Sequence, residues 1–215
     1  LIVGIGQMNL SVGAIGGLVA ISFAGLMDVF QLPIPLAVLM GLLIGLAAGL
    51  FNGVIIAFTG ISAFIITLAS LSVFKGINLG ITEAQPFYGV AESVKSFGNS
   101  SFIGTLPLLI LPALLALIGV WFLLNRMRFG RHVLAVGASP TAAGLVGISV
   151  RNIVIGTHAL SGLLAAVAGM MVVARLQIGQ PTIGDDWLIL SFAAPVIGGA
   201  VLAGGHVNVI GTLLG

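Results

Sequence analysis

Cysteine is absent from the 215 residues, which removes disulfide frameworks, thiolate metal sites and thiol nucleophiles at once. Charge is nearly absent too. Charged residues make up 6% of the chain, seven Lys and Arg against five Asp and Glu, where an ordinary globular domain carries roughly 25%. A soluble fold of this length needs a solvated polar skin, and so few charges cannot supply one. Cytosolic enzymes and disordered tails are excluded, and a net charge of +2 is too small for a nucleic-acid surface. No phosphate loop is present: Lys75-Gly76 lacks the upstream glycine spacing and the following Ser or Thr. His132, His158 and His206 share no ligand spacing, so no metal site is expected.

What the chain does have is apolar length. Hydrophobic residues account for 59% and the mean hydropathy is +1.29, so lipid is the solvent for most of the surface. A spanning helix needs about 20 mostly apolar residues. Candidate spans are 9–27, 34–58, 61–81, 103–124, 153–174 and 188–203, with 207–215 as the start of another. Runs such as Leu108–Leu124 are apolar all round, unlike the alternating strands of a barrel. The expected fold class is all-α: a polytopic membrane helical bundle with about six spans in one domain. The chain opens at Leu1 without an initiator Met and closes at Gly215 inside an apolar run, and is read as a piece of a longer protein.

Orientation follows from the arginines. Arg126, Arg128, Arg131 and Arg151 fall in one acid-free stretch, 125–152, and basic residues accumulate in short cytoplasmic loops. All five acids then lie on the far side, and no expected span holds a carboxylate, which counts against proton coupling. Lys75 and Arg175 are expected to anchor at helix ends by snorkelling, and Trp187 to sit at the membrane interface.

Glycine divides the helices. Gly41, Gly45, Gly49 and Gly53 recur every four residues, a small-residue stripe suited to close helix packing. Span 103–124 is Leu-rich and belongs at the lipid-facing periphery. Two apolar regions read as broken: Gly4–Gly13, interrupted by Gln7, Asn9 and Ser11, and Gly198–His206 after Pro195. Such interrupted segments in two halves of a chain point to discontinuous helices around a midplane pathway. A faint echo of Leu10-Ser11 in Leu160-Ser161 is in keeping with an inverted repeat. Stretch 125–152 is more than a linker. Ser139 can cap a short helix with Pro140 in its first turn, running through Ala142-Ala143 and ending at Gly147, a docking element for another protein.

Gly130-Arg131-His132-Val133-Leu134-Ala135-Val136-Gly137, followed by Ala142-Ala143 and Gly147-Ile148, closely resembles the permease subunits of ribose-type sugar ABC importers. These share a superfamily with branched-chain amino-acid permeases. Asn9–Gly13, Phe64–Leu68, Ala159–Leu163, Gly179–Thr182, Gly198-Gly199 and Gly211–Gly215 match in order, over almost the whole chain. Asn9 stands where the family usually has Asp, and His206 and Asn208 fall in a stretch usually rich in Gly, Arg and Ser. The resemblance implies a non-enzymatic permease of the bacterial inner membrane, paired with a second permease subunit. It implies a periplasmic solute-binding protein and a cytoplasmic ATPase that holds ATP and Mg, with no cofactor in this chain.

The coupling residues it marks are Arg128, Gly130, Arg131, His132, Gly137, Pro140, Ala142, Ala143 and Gly147. The expected pathway residues are Gln7, Asn9, Ser11, Asn52, Thr67, Gly198, Gly199, Gly204 and Gly205, carrying a sugar or related polyol. Two other classes stay open: an ion-driven secondary transporter or channel, and an intramembrane hydrolase using Ser161 and His158, which lacks the Gly-x-Ser-x-Gly elbow. An ABC permease for a branched-chain amino acid or a nucleoside is the neighbouring alternative. Whether Lys75, Arg175, His158 or His206 touches the solute is left open by the residues.

Overall fold

The computed structural model describes residues 1–102, 104 and 106–214. It is a helical bundle built on an antiparallel pair, α2 (Ile34–Thr59) and α8 (Val150–Leu176). The glycine stripe is the reason these two helices meet closely. A Cβ on Gly49 would lie 2.3 Å from the His158 carbonyl, and one on Gly162 would lie 2.1 Å from that of Gly45. The stripe is therefore a packing surface, in line with small-residue association in lipid. Helices α1 (Val12–Asp28) and α3 (Ala63–Thr82) run alongside, parallel to α8.

The helix ends sort into two sets. Arg151 stacks 4.4 Å over Phe58 at one end, and α5 (Ile110–Arg126) closes at the same end, its Leu124 packed in one core with Ile56 and Ile153. We call this the arginine end. At the opposite end Asp28 accepts from the Tyr88 N–H at 3.1 Å, Phe87 bridges to Gly179, and α4 (Glu92–Asn99) packs on α8. The order of ends is the alternation expected from the loops.

Three helices, α2, α3 and α8, are long and apolar enough to cross a membrane. A fourth arises if α5 is joined to α6 (Arg128–Ala138) across their 73° bend. Two expected spans are shorter than the sequence indicates. The span from Ile103, a residue outside those described, begins as helix only at Ile110, after the two-residue ladder β1 (Ser101–Phe102) with β2 (Leu106–Pro107). Pro107 has no N–H to give a helix and disfavours helical backbone at Leu106. The span 188–203 ends early: α9 (Trp187–Ile197) stops at Gly198, and Gly199 turns with φ +85°. The expected periphery holds, since α5 keeps Leu115 and Ile118 more than half exposed and buries only Leu124.

Stretch 125–152 folds as two helices rather than one. Ser139 Oγ accepts from the Ala142 N–H at 3.2 Å, capping α7 (Pro140–Leu145), and Gly147 follows at φ +84°. That much matches the expectation. Helix α6, read as loop, buries Gly130, Val133 and Val136 at helical spacing and exposes Arg128 and Arg131.

The region between α8 and α9 runs along α1 and α3. The Trp187 ring covers Gly16, one turn into α1, and Lys75 pairs with Asp185 at 2.9 Å.

Candidate functional site

The chain from Gln7 to Ser11 is not helical, and α1 starts only at Val12. Ser11 meets Asn52, which lies 18 residues into α2, so α1 begins roughly 27 Å down that helix at about 1.5 Å per residue. The expected break is real and lies deep in the bundle.

Side chains from four elements satisfy this break. Asn9 Oδ1 accepts from the Ser11 N–H at 3.0 Å and from Ser11 Oγ at 2.7 Å. Asn52 Nδ2 donates to Ser11 Oγ at 2.8 Å. The Leu10 N–H donates to Thr67 Oγ1 at 3.0 Å, and Thr67 donates in turn to the Ala63 carbonyl. Asn9 Nδ2 reaches Ser161 Oγ at 3.5 Å. His158 Nε2 and Gln7 Oε1 are 3.0 Å apart. In lipid a broken backbone has no water to bond, so these groups replace it.

Five of the expected pathway residues are thus brought together: Gln7, Asn9, Ser11, Asn52 and Thr67. Ser11, Asn52 and Thr67 have no exposure at all. They hold the break together and present no surface to a passing solute. Asn9 borders a cavity of about 620 Å³, shared with Ser161 and Trp187. Ser161 and His158 complete the cluster, on the α8 face turned toward the break. Their signal in the sequence was an i, i+3 polar pair in an apolar helix.

Gly198 and Gly199 are not at this cluster. Gly198 packs backbone to backbone on Gly211 of α10 (Val209–Leu214). Gly204 and Gly205 instead join the first broken segment. The Gly205 N–H donates to the Gly4 carbonyl at 3.1 Å, and a Cβ on Gly204 would lie 2.6 Å from the Gly6 nitrogen. Gly137 of α6 closes the same junction: its Cβ would lie 1.9 Å from the Gly4 carbonyl and 2.5 Å from the Gly205 nitrogen. Three glycine positions far apart in sequence meet where no side chain fits.

The nine expected coupling residues divide by burial. Arg128, Arg131, Pro140, Ala142 and Gly147 are exposed, His132 and Gly137 are half-buried, and Gly130 and Ala143 are buried. Ala143 therefore belongs to the core beside Val133 and Ile153 and is not part of a docking surface with Ala142. The large apolar side chains at the tip are Leu145 and Val146, 85% and 76% exposed, which sequence reading passed over. Arg175 and His206 are exposed as well.

The family model for the branched-chain amino acid transport system / permease component matches residues 1–215. The ribose import permease protein of Bacillus subtilis (strain 168) is 36% identical over 212 residues, 98% of this chain and 65% of that protein. The autoinducer 2 import system permease protein of Enterobacter sp. (strain 638) is 36% identical over 215 residues, 97% of this chain and 65% of that protein. The D-allose transport system permease protein of Escherichia coli (strain K12) is 34% identical over 208 residues, 97% of this chain and 64% of that protein. The chain thus spans about 65% of the length of these relatives. No solved structure matches it. The apolar helices and the match over the full length agree: this is an integral membrane protein, and it belongs to the family of the branched-chain amino acid transport system permease component.

Proposed function

We propose that the chain is the membrane-spanning part of a permease subunit in a binding-protein-dependent ABC importer of the bacterial inner membrane. The arginine end faces the cytoplasm. Helices α6 and α7 form the docking element for a separate ATPase subunit that holds ATP and Mg, and a periplasmic binding protein delivers the solute at the other end. A second permease subunit completes the pathway. The names of the ribose and D-allose relatives support a sugar or related polyol as the cargo.

The observation that carries this reading is the glycine junction. A projecting unit with exposed Leu145 and Val146 at its tip rests, through Gly137, on both broken segments. Force applied to α7 passes through the end of α6 to Gly4 and Gly205, and from Gly4 it is three residues to Gln7 and the deep break. The finer architecture goes with this reading: about six spans in which α1 and α9 are half-helices of an inverted repeat.

The test is solute uptake by cells carrying the full-length protein and its partners, energised two ways. ATP depletion with the membrane potential intact stops uptake under this proposal. Uptake that survives ATP depletion and collapses with an uncoupler makes the protein a secondary transporter instead. Competition between labelled ribose or D-allose and unlabelled leucine then separates a sugar permease from an amino-acid one.

A further inference from the structure

The segment between α8 and α9 carries charge at a depth where charge is costly. Gly179 packs on Ala24 and Gly184 on Gly13, so the segment descends beside eleven residues of α1, about 16 Å. Asp185 follows directly, and its Oδ1 accepts from Lys75 Nζ at 2.9 Å. Lys75 itself lies seven residues before the end of α3. A lysine stem can carry its charge toward the headgroups, but an aspartate has no such reach. Both side chains keep nearly half of their surface, 44% and 46%. Irregular backbone and ionised groups persist at membrane depth only inside protein or beside water. These two are not inside the core of this chain.

The larger cavity is a different environment. Apart from Asn9, Ser161, Ser191, Thr212 and the Trp187 indole, the side chains around its 620 Å³ are aliphatic or aromatic hydrocarbon, with no charged residue among those described. A hydrophilic solute would exchange its water for hydrocarbon there. On the other face of the break, Lys75, Asp185 and the amide of Asn78 border a hollow of about 90 Å³ with Leu71 and Leu188.

We propose that the aqueous route of the solute runs along this charged face of α3 and the Gly179–Asp186 segment, not through the larger cavity, with Lys75 and Asp185 binding hydroxyls of a neutral polyhydroxylated solute. The ammonium donates to hydroxyl oxygens and the carboxylate accepts from hydroxyl hydrogens, each a charge-assisted bond. Opposite charges side by side hold an uncharged molecule without selecting either sign of ion. The ligand class rests on the importer reading; the position of the water does not.

These 215 residues hold no cysteine, so a thiol introduced among them reports on its own position once any cysteine elsewhere in the full-length protein and its partners is replaced by serine. In the full-length protein assembled with its partners in membrane vesicles, Leu71→Cys and Leu188→Cys flank the pair, while Leu117→Cys and Leu164→Cys line the larger cavity. A membrane-impermeant cationic methanethiosulfonate modifies the first two. The second two react only with lipid-soluble N-ethylmaleimide. Impermeant-reagent labelling at Leu117→Cys or Leu164→Cys, or none at the first pair, overturns the route. For the ligand, Lys75→Met and Asp185→Asn each raise the half-saturation concentration for ribose or D-allose uptake about tenfold or more, from the loss of a bond to a charged group. Maximal rate and membrane abundance change far less. Unchanged half-saturation with a lowered maximal rate overturns the hydroxyl contact, and labelling without any ATP-driven uptake sinks the importer reading while leaving the route in place.

Discussion

The backbone N–H of Gly205 donates to the carbonyl of Gly4 at 3.1 Å, tying together two broken segments some two hundred residues apart. Gly137 of α6 seals the same point, so the projecting helix and both breaks share one backbone junction. A junction of backbone alone transmits displacement without the slack of side-chain rotamers, which suits a connection between a docking surface and a pathway.

Substitution at Gly137 tests that junction. In Gly137→Val the Cβ would meet two backbone atoms, at 1.9 and 2.5 Å, which no rotamer change relieves. The expected cost is about 3 kcal/mol or more, read as a lower midpoint of thermal unfolding in detergent together with loss of uptake. Gly119→Ala, on the exposed side of α5, is the control. Nothing lies within 4 Å of a Cβ there, and Ala is the better helix former, so stability rises by up to ~1 kcal/mol with uptake unchanged.

The deep break makes a separate prediction. Asn52 Oδ1 is buried without a partner, and its Nδ2 depends on Ser11 Oγ. Ser11→Ala therefore leaves the whole amide unbonded, at a cost of about 1–3 kcal/mol. Adding Asn52→Leu removes the stranded group, so the double variant is less destabilised than the sum of the singles. A double-mutant cycle on thermal unfolding measures the difference, and additive effects would mean that the bond contributes nothing.

The tip of α7 should separate function from folding. Leu145→Glu and Val146→Glu change side chains 85% and 76% exposed, so membrane abundance and unfolding midpoint stay within about 0.5 kcal/mol of the parent. Stimulation of the ATPase partner is lost. Ala143→Glu, three residues from the α7 start, instead places a carboxylate in the core and depletes the folded protein.

Much of this was legible before any coordinates, for identifiable reasons. Apolar runs marked the long helices because lipid leaves few other sequences for a spanning segment. Asn9 and Ser11 marked the first break because polar side chains in such a run are tolerated where backbone needs partners. Ser139, Pro140 and Gly147 marked the α7 boundaries because cap chemistry is local. Tertiary facts were out of reach. Nothing local says that Gly137 meets Gly4, that Ala143 faces inward while Leu145 faces out, or that His158 and Ser161 complete the cluster. Nothing local pairs Asp185 with Lys75 either: the packing of Gly179 and Gly184 along α1 carries that segment to α3.

The central claim is that a partner's ATP drives this permease through α7. Proteoliposomes holding the full-length protein, its P-loop ATPase and its binding protein, loaded with ATP or with a nonhydrolysable analogue, test it by uptake of labelled ribose or D-allose. The account predicts uptake with ATP alone, abolished in the Leu145→Glu/Val146→Glu variant although that variant is fully inserted. Uptake of equal rate with the analogue, or undiminished in the variant, contradicts it.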